Sequence, residues 1–125
     1  MADIVTISAD ETWSAGAWIA RFVIRAIHEF LPKCDAAHIA DRFEKYEAGS
    51  AVNLSQFSNA DLLIIYHAAR HAHNHLTAFR LNSAFFQDDE FSPDEGFVDR
   101  FSKKLSDLID VIAKDDRVSG YVSQT

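Results

Sequence analysis

At 125 residues and 48% hydrophobic composition, the chain is the size of one domain and can bury a core without help from metals or disulfides. Its net charge of −7 repels a phosphate backbone, which argues against direct nucleic-acid binding and favours a basic protein partner. The most apolar stretch, residues 15–31, is broken by Arg21, Arg25, His28 and Glu29, which excludes a membrane-spanning helix.

Met1 to Val5 carries Asp3 where a secretory signal carries basic residues, and the single Cys34 offers no internal disulfide; both features fit a cytoplasmic protein. The charge is unevenly spread. Residues 1–86 hold seven Lys and Arg against nine Asp and Glu, whereas residues 87–125 hold five against ten, so most of the acidity lies in the last third.

Residues 1–9 read as an extended N-terminal arm. Asp3 to Ser8 has strand character, but a strand that short needs a partner, which a symmetric second copy would supply. Ser8 and Glu11 have the spacing of a capping box, which predicts a helix from about Asp10 to Leu31, stopped by Pro32. At 100° per residue, Ser14, Arg21, Arg25, His28 and Glu29 fall on one narrow strip and apolar residues cover the rest. A helix so broadly apolar is either the central rod of the fold or a homodimer contact.

A second helix is predicted from about Asp35 to Ala48, with Asp35 as cap, Gly49 as stop, and Ile39, Phe43 and Tyr46 as its buried stripe. Ser50 to Phe57 reads as a loop. Ser58 and Asp61 mark the start of a third helix, whose face of Leu62, Ile65, Tyr66, Ala69, Ala72, Leu76 and Phe79 runs toward Phe86. Ser92-Pro93-Asp94-Glu95 opens a fourth helix, which buries Phe97, Val98, Phe101, Leu105, Leu108, Ile109 and Ile112 and fades near Lys114. Residues 117–125 carry no helical stripe and read as a flexible or irregular tail. The expected fold is all-α, a four-helix bundle-like single domain over residues 1–125 with an extended arm.

Two surfaces stand out as candidates for function. His67, His71 and His75 are spaced four apart on the third helix, so successive imidazoles lie one turn above each other, and such a pair can chelate a transition metal. They lie opposite the apolar face, with no H-E-x-x-H or E-x-x-H ligand set beside them, so a solvated or partner-facing surface is the favoured account, with a pH-sensitive contact as the runner-up. The second surface is Phe86, Asp88, Asp89, Glu90, Phe91, Asp94 and Glu95, where aromatics set among acids combine apolar contact area with a field that steers a basic partner inward. Ordinary closure of a bundle end, with acids at a helix start, explains the same residues.

Cys34, one turn before His38 at a helix start, resembles half of a nucleophile site, yet no orienting acid or oxyanion loop accompanies it. The four glycines are scattered, so no phosphate loop exists. The expected function is non-catalytic: an acidic module that engages a basic protein partner without a cofactor, in the manner of toxin-neutralising immunity proteins or antitoxins. The alternatives are a metal-binding helical protein using the histidines, and a self-associating structural subunit.

Overall fold

The computed structural model describes residues 2–8, 11–32, 37–47, 52–79 and 96–122. The chain is mostly helical, as expected, but it opens with strands. β1 (Ala2–Thr6) and β2 (Thr12–Gly16) pair antiparallel, with Val5 opposite Trp13 and Ile4 opposite Ser14. β3 (Val52–Asn53) joins β1 in parallel, so the sheet order is β2-β1-β3.

The N-terminal arm is therefore corrected: it is the central strand of a small sheet, and its partner is the next segment of the same chain. Ser8 and Glu11, read as a helix cap, instead close the hairpin, with Glu11 N–H donating to the Ser8 carbonyl (3.4 Å) and Ile7 N–H to the Glu11 carbonyl (2.9 Å). Residues 12–16, read as the first turn of a helix, form β2 because Trp13 and Ala15 alternate with exposed Thr12, Ser14 and Gly16, a period of two that buries one face. The Trp13 indole N–H donates to the Lys104 carbonyl (3.1 Å), and Lys104 Nζ returns a hydrogen bond to the Ser14 carbonyl (3.3 Å). These two bonds tie the hairpin to a helix ninety residues away in sequence and cover its edge.

Helix α1 (Ala17–Phe30) packs against β1, β2 and three other helices. Its broad apolar surface is thus consumed inside the chain: Phe22, Val23, Ile24, Ala26 and Ile27 are all buried. The helix ends at Leu31, whose extended backbone is the one Pro32 demands of its predecessor. α2 (Ala37–Glu47) buries Ile39 and Phe43; its expected cap Asp35 and stop Gly49 lie outside the described residues. The expected loop of residues 50–57 contains β3 and a 3-10 turn at Leu54–Gln56.

α3 (Asn59–Phe79) starts where the sequence places it, with Ser58 Oγ accepting from Asp61 N–H (3.2 Å). Leu62, Ile65, Tyr66, Ala69 and Ala72 are buried as expected. α4 (Phe97–Lys114) buries Phe97, Phe101, Leu105, Leu108 and Ile112, and its expected opening at Ser92-Pro93 lies outside the described residues. The irregular tail is also corrected: α5 (Asp116–Val122) occupies it, with Val118 fully buried. The described residues thus hold five α-helices and a three-stranded sheet. No described helix is long and apolar enough to cross a membrane.

The α4–α5 junction is locked by Arg117. Its guanidinium spends all five N–H donors: Nε and Nη2 on the two Asp115 carboxylate oxygens (2.9 and 3.0 Å), Nη1 on the Leu54 and Phe57 carbonyls (2.9 and 2.8 Å), and Nη2 again on the Ile7 carbonyl (2.7 Å). One side chain so joins the end of β1, the 3-10 turn and the last helix. Asp115 is 7% exposed and caps α5, accepting from the Arg117 backbone N–H (2.9 Å). The Arg117 side-chain hydrogen bonds hold its carboxyl below the usual carboxylate range, against the opposing effect of burial.

Candidate functional site

A cavity of about 570 Å³ forms a groove between the C-terminal half of α1 and α2. Short chain connection forces these two helices together, and the polar strip of α1 faces the polar side of α2 across it. His28, half-buried, donates through Nδ1 to Glu47 Oε2 (2.9 Å), since a carboxylate can only accept. Arg25 Nε stands 3.7 Å from the other Glu47 oxygen, and its guanidinium lies 5.0 Å from the Phe22 ring centroid. The apolar lining is formed by buried Leu31, half-buried Ala40 and exposed Pro32 and Ala37, and exposed Glu29 and Asp41 stand on the groove's rim. Among the described residues neither rim carboxylate has an ion-pair partner.

A second cavity of about 440 Å³ opens beside the Arg117 lock, lined by Ser8, Glu11, Ser55, Lys114 and Asp116. Glu11 Oε2 is shielded from solvent and has no hydrogen-bond partner among the described residues. An atom with no accessible surface does not face the cavity, so this oxygen is a local cost of about 1–3 kcal/mol rather than a ligand contact.

The sequence-singled histidines do not converge. His67, His71 and His75 all lie exposed on α3, as the periodicity predicts. The His67 ring meets Tyr66 edge-on at 5.6 Å, and the His75 ring lies 5.4 Å from Phe30. His73 turns inward, with Nε2 3.4 Å from Ser102 Oγ. No group of three or more metal-ligating side chains occurs among the described residues. His38 is engaged across the α2–α3 contact, donating through Nε2 to Asp61 Oδ1 (2.9 Å). Cys34 lies outside the described residues, as does the whole acidic aromatic segment of Phe86, Asp88, Asp89, Glu90, Phe91, Asp94 and Glu95.

Sequence reasoning isolated the α1 strip but missed its partner Glu47 and the Asp41 that shares its groove. The signal was present: two amphipathic helices joined by a short connection are antiparallel neighbours, so their polar edges meet. Asp115 and Arg117 were missed because each looks like an ordinary surface charge until the chain folds. Comparison with protein-family models, curated proteins and solved structures finds no match for this chain.

Proposed function

We propose that the chain is a non-catalytic, acidic protein-binding module that occupies a basic surface of another protein, and that it acts as an inhibitor in the way an immunity protein or antitoxin neutralises a toxin. The carrying observation is the charge distribution: ten acids against five basic residues over residues 87–125. Exposure of Asp99 and Asp110 on α4, whose apolar side is committed to the core, supports the reading, because those charges are available to an approaching partner. Acidic surfaces of this kind raise association rate and select against acidic competitors more than they add raw affinity.

The test is affinity capture at graded salt with the wild-type chain and with Asp88, Asp89 and Glu90 all replaced by Lys. Capture of a basic protein that weakens with salt, and that the triple variant loses, is the expected result. Capture of no basic protein at any ionic strength removes the reading.

Self-association is the competing reading. Its original motive was the apolar breadth of α1, which the chain's own elements account for. Exposed Ile4, at 62%, is the large apolar side chain left on the described surface, and one such residue is common in monomers.

A further inference from the structure

Three places bear on recognition: the α1–α2 groove, the cavity beside Arg117 and the histidine face of α3. At the second, the Glu11 oxygen is closed off and Arg117 is saturated, and the exposed Ser55, Lys114 and Asp116 that also line it are of mixed charge and select no one kind of ligand. At the third, the imidazoles point apart from any other described ligand set. The groove differs because its polar groups are sorted.

Arg25 and His28 are both committed to Glu47, so the positive charge on the α1 wall is matched within the protein. What remains on the rim among the described residues is the pair of exposed carboxylates of Glu29 and Asp41, beside an apolar lining of Leu31, Ala37 and Ala40. Carboxylates beside an apolar lining complement one kind of side chain: a long aliphatic stem that ends in a cation. A small neutral ligand would gain nothing from the rim, and an anion would be repelled by it.

We infer that this groove receives a lysine- or arginine-bearing segment of a basic protein partner, with the aliphatic stem along Leu31, Ala37 and Ala40 and the charged head toward Glu29 and Asp41. This rests on the function proposed above and assigns it a contact site among the described residues. Arg25 and Glu47 set the site rather than fill it: their mutual neutralisation keeps the guanidinium from repelling the incoming cation. The cavity volume, about 570 Å³, is within the range that holds a bound side chain together with its flanking backbone.

The test uses the full chain, isotopically labelled, titrated by NMR at low salt with capped tetralysine. A second probe of equal charge carries single-methylene stems, tetra-diaminopropionate. The groove predicts saturable shifts at the amides of Glu29, Ala40 and Asp41, and tetralysine binding several-fold tighter than the short-stemmed probe. Glu29→Lys with Asp41→Lys should weaken tetralysine on the order of tenfold. Both substitutions are at exposed helix positions, and a lysine in the last turn of α1 complements the helix dipole, so the variant folds. Saturable shifts that map elsewhere, or equal affinity for the two probes, overturn the groove while the basic-partner reading stands. Absence of saturable binding by either probe removes both.

Discussion

Replacing Arg117 by alanine removes a side chain that is 17% exposed and makes five hydrogen bonds, two of them to a 7%-exposed carboxylate. Each charge-assisted bond contributes about 1.5–3 kcal/mol, but the five do not add, because they share one guanidinium and its desolvation. The greater loss is what stays behind: a buried Asp115 without its counter-ion, and the Ile7 and Phe57 carbonyls deprived of the guanidinium, while the Leu54 carbonyl keeps the Phe57 N–H (3.3 Å). Water from the adjoining cavity of about 440 Å³ can reach part of this site, which lowers the cost. The expected destabilisation is about 3 kcal/mol, near the lower end for breaking a buried pair. For a domain of this length it lowers Tm by roughly 12 °C.

Urea unfolding followed by circular dichroism at 222 nm should show a lower midpoint with an unchanged slope. Arg117→Lys should fall between wild type and alanine, since an ammonium keeps the charge but cannot span all five acceptors. Acid titration gives a second reading of the same contact. The Asp115 carboxyl is held below its ordinary value of 3.8, so its contribution is complete above that pH and is lost as the pH falls through the lower folded value. The alanine variant should lack this acid-sensitive increment. A midpoint shift equivalent to less than about 0.5 kcal/mol would refute the view that this residue locks the termini of the sheet to α5.

Tyr46 is half-buried and its hydroxyl donates to the Asn53 carbonyl (3.2 Å). Burial raises its phenol above the ordinary 10.0, so the native state holds that proton more tightly and stability declines as pH rises past 10.0. Tyr46→Phe should cost about 1 kcal/mol near neutral pH and remove that increment of alkaline sensitivity, measured by denaturant melts on either side of pH 10. Trp13→Phe deletes the indole donor to the Lys104 carbonyl while keeping most of the apolar volume. It should cost about 1–3 kcal/mol and accelerate hydrogen exchange in β2; unchanged exchange there would show that the hairpin does not depend on α4.

The helices were legible because their cause is local. Ile39 and Phe43, Leu62 to Ala72, and Phe97 to Ile112 recur every three to four residues, and exclusion of water from such a stripe produces a rod wherever the chain places it. The Ser58 cap was readable for the same reason, since its partner is three residues away. Of the candidate sites, the exposure of His67, His71 and His75 followed from that periodicity as well.

Tertiary structure alone decided the beginning and the end of the chain. Thr12 to Gly16 fits either period over so short a run, and it becomes a strand because β1 and the Lys104 ammonium, which donates to the Ser14 carbonyl, satisfy backbone groups that a helix would have satisfied internally. Residues 116–122 look irregular until Asp115 caps them and Arg117 finds the carbonyls of Ile7, Leu54 and Phe57, up to 110 positions away. The groove is of the same kind: Glu29 and Asp41 share a rim only once α1 and α2 pack. Periodicity specifies which face of an element is apolar, whereas the pairing of polar groups distant in sequence is settled by where packing brings them.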